Sequence, residues 1–376
     1  AWRSKKREAQ HSSPGPPDLA SAKAMGLRSP MTLRPVYNPP NPWESVHGGE
    51  FLEGIPRAEL KVFEERAKSF ISTNDSPDLG FRHSANPYRG CTHACAYCYA
   101  RPSHQYLGYG AGTDFETRIV AKLNAPELLR QEFMRPKWTG EVLVLSGNTD
   151  CYQPLEASYN LTRACLEVCA GFRNPLSIIT KSPLIVRDTD LLQQLTRDAR
   201  VHVNLSCAFS DDAMAAKMEP GAPPPSRRFA AMEKLARAGV SVGVGLAPII
   251  PGLNDGQIPE ILQRSRDAGA RFAFRTLLRL PAEVKDVFFH ALDERFPTHA
   301  KKVRHLVMDA KEGKLNNAQF GKRFSGSGPL WRATDELFEL NCRRLGLNSL
   351  DEEAGMFDDF KNAPATFVRP GQMELL

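Results

Sequence analysis

The stretch Cys91-Thr92-His93-Ala94-Cys95-Ala96-Tyr97-Cys98-Tyr99 carries three cysteines at C-x3-C-x2-C spacing. The next cysteine in the chain is Cys151, so no fourth thiol lies nearby. Thiolates are the usual ligands of iron–sulfur clusters, and a cubane held wholly by protein takes four of them. Three on one loop leave an iron open to bind and activate something small. The preceding Asn86-Pro87-Tyr88-Arg89-Gly90 reads as a loop, which disfavours ordinary core cysteines. Structural zinc normally takes four ligands, with a second ligand pair elsewhere. His93 would complete a Cys3His set, but it sits too close to the cysteines to close a tetrahedron easily.

Working outward, the chain of 376 residues exceeds one average domain, yet α/β barrels reach this size as a single unit. An apolar share of 41% suffices for a sizeable core. No apolar run approaches the roughly 18 residues of a membrane span, so none is expected. The first residues, Ala1-Trp2-Arg3-Ser4-Lys5-Lys6, lack the apolar segment of a secretory signal. Eight cysteines beside a cluster motif read as reduced thiols of a cytoplasmic protein. The net charge of +6 is split between a basic segment, residues 1–50, and a nearly neutral body. Such a balance permits a polyanionic partner without requiring one.

Residues 1–50 are rich in Pro, Ser and charge and are expected to be poorly ordered. Residues 51–78 are expected to be a helical lead-in, because Leu60, Phe63, Ala67 and Phe70 fall near one face of a helix from Arg57 to Ser72. From 79 to 285, β-rich runs at Phe81–Ser84, Glu141–Ser146, Leu176–Thr180, Val201–Ser206, Val240–Ile250 and Arg271–Leu280 alternate with helical patterns. The clearest helices run from Asp188 to Ala199, from Ser226 to Ala238 and from Gln257 to Ala268, the last two ending on Gly239 and Gly269. Alternation of this kind predicts a parallel sheet in an α/β fold, though periodicity does not say whether it closes. Residues 286–376 read as a C-terminal helical region, with a helix from Leu330 to Leu345.

The cysteine spacing, with an aromatic residue before the last cysteine, resembles the signature of the radical S-adenosylmethionine (SAM) superfamily. The resemblance implies a partial (β/α)6 barrel with a helical C-terminal cover. It also implies a 4Fe–4S cluster on Cys91, Cys95 and Cys98, whose open iron is chelated by the amino and carboxylate groups of SAM. Reductive cleavage of SAM then yields methionine and a 5′-deoxyadenosyl radical. In barrels, function collects at the C-terminal ends of the strands. Lys181, at the end of the third strand, suits the SAM carboxylate as a compact charge with three donors. Asp150 and the hydroxyls of Ser146 and Thr149, after the second strand, suit the amine or ribose. Ser206 ends the fourth strand and suits the carboxylate or ribose; Ala247, late in the fifth, is the remaining cofactor-binding position. Ser, Thr and Asp are equally favoured as helix caps, so a capping role stands beside each assignment.

A narrower resemblance covers about residues 80–280. The run Thr149-Asp150-Cys151-Tyr152-Gln153-Pro154-Leu155-Glu156 with Leu161-Thr162-Arg163 is similar to the spore photoproduct lyase-like branch. Thr180-Lys181-Ser182, Glu219-Pro220 with Arg227 or Arg228, and Ala247-Pro248-Ile249-Ile250-Pro251-Gly252 add to the match. The resemblance implies carbon–carbon lyase repair of a DNA or nucleotide lesion, with Cys151 as hydrogen-atom donor and Tyr99, beside Tyr97, as a relay next to the cluster. A small buried hydrophobe is the other reading of Cys151, with the two tyrosines merely walling the cluster. A low-potential donor such as flavodoxin or ferredoxin is the implied partner, and nucleic acid a candidate substrate. The competing readings are radical modification of a peptide, RNA or metabolite, and a zinc-stabilised binding module. Cys165 and Cys169 read as core, Cys207 as pointing away from the barrel interior, and Cys342 as a solitary cysteine of a C-terminal helix. The loop Arg323-Phe324-Ser325-Gly326-Ser327-Gly328-Pro329 reads as cover for the barrel's open side or as a contact for a polyanion.

Overall fold

The computed structural model describes residues 59–348 and 365–370. The basic segment 1–50 lies outside the described residues. The expected helix from Arg57 to Ser72 is absent over its described part. Its place is taken by two strands, β1 (Lys61–Glu65) and β2 (Ile71–Thr73). The helical spacing misled because Leu60 and Phe63 are 42% and 40% exposed, so they form no buried stripe. The backbone of β1 instead finds its partners more than fifty residues away, where it pairs in parallel with Arg118–Lys122, in register Lys61 to Arg118. Non-local pairing of this kind overrides a local period.

The six β-rich runs all become strands of one sheet. They are β3 (His83–Ala85), then, after β4 (Tyr88–Arg89) and β5 (Arg118–Lys122) of the smaller sheet, β6 (Leu143–Leu145), β7 (Leu176–Thr180), β8 (Val201–Ser206), β9 (Ser241–Ile249) and β10 (Phe272–Leu277). The order is β10-β9-β8-β7-β6-β3-β2. The first six are parallel, and β2 adds antiparallel to β3 at one edge. The end strands β2 and β10 do not pair, so the barrel is partial and open. Helices Leu161–Gly171, Thr189–Asp198, Pro225–Arg237 and Ile258–Asp267 follow β6, β7, β8 and β9 in turn.

Strands covered on both faces favour apolar residues, and the central strands are rich in them. Leu143, Val144 and Leu145 of β6 and Val203 and Leu205 of β8 are wholly buried. Each such side chain contributes about 1.5–3 kcal/mol through removal from water. Gly243 and Gly245 of β9 admit what a side chain would exclude. A Cβ at either would lie 2.2 Å from the Phe272 ring or 2.6 Å from the Phe274 ring of β10.

Three helices, Val284–Arg295, Pro297–Ala310 and Gly328–Leu345, follow the sheet. The loop before the last of them returns across the strand ends. The Leu277 amide donates to the Phe324 carbonyl at 2.8 Å, and the Gly321 amide to Asp78 Oδ1 at 2.6 Å. The buried Lys311 ammonium donates to the carbonyls of Arg323 and Ser325 at 3.2 Å each. Among the described residues no helix is long and apolar enough to cross a membrane.

Candidate active site

The cysteine loop leaves β4 and ends at the 3-10 helix Arg101–Leu107. Its backbone is pinned from several sides. The Cys91 amide donates to Phe115 O at 2.9 Å and the Ala96 amide to Met218 O at 2.9 Å. Gln153 bridges the loop's start, accepting from the Thr92 amide at 3.1 Å and donating to Gly90 O at 3.1 Å. The wholly buried Arg101 donates to Cys95 O at 2.8 Å and to Ala111 and Gly112 carbonyls at 3.1 and 3.0 Å, with Glu116 as its counter-charge. On the far side the Gly221 amide donates to His93 O at 3.0 Å. A Cβ on Gly221 would stand 2.0 Å from the Thr92 carbonyl oxygen, so only glycine allows this approach.

All three thiols line one cavity of about 580 Å³ at the C-terminal ends of the strands. None is in a disulfide. Burial raises the Cys91 thiol's pKa and pushes that of Cys95 up to about 12, so neither ionises without a cation to bind it. Among the described residues no three His, Cys, Asp or Glu side chains converge as a single ion would require. A cubane places one thiolate on each of three irons and needs no such convergence. The donor set therefore fits a cluster better than zinc.

Asp150 sits beneath the loop. Its Oδ1 accepts from Thr180 Oγ1 at 2.7 Å and the Tyr152 amide at 2.9 Å, and its Oδ2 from the Lys181 amide at 2.8 Å. His93 Nδ1 lies 3.3 Å from Oδ2. Burial alone would raise the carboxyl's pKa, but the His93 ring and these donors override it and hold it at about 2. Behind Cys95 runs a buried chain: Tyr97 donates to Glu219, Glu219 pairs with Arg228, and Arg228 donates to Ser206 O at 2.9 Å and Pro223 O at 2.8 Å. Burial opposes the charge on Glu219, yet Arg228 and Lys181 keep its pKa low. Lys181 lies with its ammonium 5.7 Å from the Tyr97 ring centroid. Burial disfavours that charge, but Cys95 and Glu219 hold the lysine protonated. Among the described residues the ammonium has no ion-pair or hydrogen-bond partner, which leaves its three donors for a ligand.

Compared with known proteins, residues 85–264 match the family model described as the radical SAM superfamily. The chain belongs to the radical SAM superfamily. An uncharacterized protein of Mycobacterium tuberculosis is 36% identical over 230 residues, 61% of this chain and 68% of the relative. One of Methanocaldococcus jannaschii is 29% identical over 240 residues, 64% of this chain and 85% of the relative. A solved spore photoproduct lyase complexed with dinucleoside spore photoproduct superposes with a TM-score of 0.53 at 16% identity, over 76% of this chain and 80% of the other. Another, a lyase mutant with bound AdoMet and the same photoproduct, gives 0.51 at 17%, over 79% and 86%. At such identity the likeness shows the fold alone. As a radical SAM enzyme the chain uses a 4Fe–4S cluster and SAM.

Measured against the SAM roles expected from sequence, the residues divide. Lys181, Ser206 and Ala247 line the cavity, the last through the cis Ala247–Pro248 peptide at the end of β9. Ser146, Thr149 and Asp150 line it too but are largely committed to the protein. Ser146, at φ 86°, accepts from the Cys151 amide at 2.9 Å, and Thr149 donates to Tyr88 O at 2.9 Å. They hold the turn after β6, and neither caps a helix. Tyr97 has its phenol spent on Glu219. Tyr99 presents a 46% exposed side chain to the cavity and donates to Gly147 O.

Cys151, expected as the hydrogen-atom donor, is placed away from the cavity wall. It is wholly buried and absent from the cavity wall. It packs in the main core, and its carbonyl accepts from Thr162 Oγ1 at 2.6 Å. Sequence reasoning gave no role to Arg279, Arg228, Glu219 or Gly221. Arg279 at the end of β10 carried the signal of a strand-end position, and Glu219 and Arg228 that of a paired opposite charge; Gly221 carried none, since its partner loop is far away in sequence.

Proposed function

We propose that Cys91, Cys95 and Cys98 hold the 4Fe–4S cluster and that the chain acts on an organic substrate entering through the cavity mouth. The observation that carries this reading is the convergence of three free thiols, Lys181 and the Ser206 hydroxyl on one cavity of about 580 Å³. When bound, the cluster and SAM supply a 5′-deoxyadenosyl radical that takes a hydrogen atom from the substrate. The protein binds, orients and shields. Lys181 receives the SAM carboxylate and Ser206 a second polar group of the methionine or ribose. Arg101 and Gly221 fix the loop so that the thiols stay spread. Tyr99 walls the space between the cluster loop and the substrate. The loop carrying Arg323 and Phe324, with Asp78 to Phe81, rims the mouth and limits water.

The finer reading is lyase-type repair of a nucleotide or DNA lesion, fed electrons by flavodoxin or ferredoxin in the cytoplasm. It is supported by the fold shared with spore photoproduct lyase. With Cys151 in the core, no cavity-lining cysteine besides the cluster ligands is available to return a hydrogen atom, among the described residues. The repair chemistry would therefore differ from a cysteine-terminated one. Anaerobic reconstitution should yield about four irons and four sulfides per chain. SAM with dithionite should then yield 5′-deoxyadenosine, and the Cys98→Ala variant none. One zinc and no sulfide would overturn the reading.

A further inference from the structure

At the mouth the cavity holds a second cation without a counter-charge. Arg279 follows β10, and its guanidinium lies between two rings, 4.7 Å from the Phe324 centroid and 5.4 Å from that of Tyr99. Its Nε is buried and has no hydrogen-bond partner among the described residues. The surroundings are cationic. Burial, and then the charge of Arg323, lowers the pKa of Arg279; burial, and then Arg279, lowers that of Lys311 to about 8. Asp78, the carboxylate that acts on Arg279, is already paired with Arg323 at 2.6 Å. Removing a charge from water without pairing it is unfavourable. Lys181 escapes that difficulty because the Glu219 carboxylate stands near it; Arg279 does not.

We propose that Arg279 is an oxyanion subsite for the substrate. A phosphate or carboxylate on the substrate docks against the guanidinium fork between Tyr99 and Phe324, and the hydrogen-bearing carbon is thereby turned towards the cluster loop. The rings hold the fork in one plane, which suits two parallel N–H···O bonds to a planar or tetrahedral oxyanion. This rests on the function proposed above and narrows it to substrates with an anionic group near the reacting carbon.

The test is calorimetric titration of the anaerobically reconstituted protein, with and without SAM. The probes are inorganic phosphate, thymidine 5′-monophosphate, thymidylyl-(3′→5′)-thymidine and glutarate, compared in wild type, Arg279→Met and Arg279→Lys. Methionine keeps apolar bulk between the rings, and circular dichroism checks the fold of each variant. The expected result is at least one probe bound by wild type, about tenfold or more weaker in Arg279→Met, partly restored in Arg279→Lys, and SAM binding unchanged. A preference for the nucleotides over glutarate assigns the oxyanion to phosphate, and the reverse to carboxylate. Equal binding by wild type and Arg279→Met overturns the inference, as does wild type binding no probe at millimolar concentration. Loss of SAM binding in Arg279→Met would place the residue in the cofactor site and overturn it too. Failure to form the cluster or bind SAM would sink the proposed function instead, and the titrations without SAM would still report on Arg279.

Discussion

Glu219→Gln should destabilise the protein far more than a neutral isostere normally would. The carboxylate is 1% exposed and accepts from Tyr97 while pairing with the wholly buried Arg228. Glutamine keeps the shape but leaves the guanidinium as a buried charge with only the Ser206 and Pro223 carbonyls to face. Two charge-assisted hydrogen bonds of about 1.5–3 kcal/mol each are weakened. Breaking a buried ion pair from one side costs about 3–5 kcal/mol, and the two figures agree. With a urea m-value of about 3 kcal/mol/M, the midpoint should fall by about 1–1.7 M. The assay is urea unfolding of cluster-free protein, so that cofactor binding does not enter the equilibrium. The double variant Glu219→Gln with Arg228→Met removes both charges and should cost no more than Glu219→Gln alone. A loss below about 1 kcal/mol for the single variant, or strictly additive costs, would refute the coupling.

Gly221→Ala should fold yet bind little iron, because its Cβ would meet the Thr92 carbonyl at 2.0 Å and the cysteine loop would have to move by about 1.5 Å to reach ordinary C···O contact; iron and sulfide content at or near wild type would contradict this. Cys151→Ala should cost about 1 kcal/mol of stability and leave 5′-deoxyadenosine production intact, since the thiol is core and not cavity wall; turnover that becomes uncoupled would restore a donor role to Cys151. Asp150, held at about 2 against an ordinary 3.8, contributes stability that is fully present above about pH 4 and is lost as pH falls through about 2. The depression is worth about 2 kcal/mol, so Asp150→Asn should be less stable than wild type by about that much at pH 7, with the gap closing between pH 4 and 2; a pH-independent gap in urea midpoints would contradict the assignment.

The sheet was legible because its parallel strands are short β-rich runs, most of them followed by a helical pattern. Val201–Ser206 is buried at every position and matches its expected bounds. The lead-in was not legible. Its spacing at 60, 63, 67 and 70 is as good a helix as a short window offers, and only the distant Arg118–Lys122 strand makes it extended. Local period decides where the partner is local, and fails where the hydrogen bonds are closed by a segment the window does not contain.

The same distinction sorts the site. The three cysteines were legible from their spacing on one loop, and Lys181 and Ser206 from their positions at strand ends, and all five line the cavity. Cys151 was not legible in this way. It lies five residues past Ser146, in a turn whose course is set by the Ser146 hydroxyl on its own amide and by Thr162 on its carbonyl. Asp150 stays on the cavity and Cys151 joins the core. A motif match reports which residues are present near a strand end, but the side they face is set by hydrogen bonds to segments the motif does not contain. The same reasoning picks out Arg279, whose strand-end position was visible while its lack of a counter-ion was not. Whether a strand-end charge is structural or awaits a ligand depends on what the rest of the fold brings to it, and here the fold brings two aromatic rings and another cation.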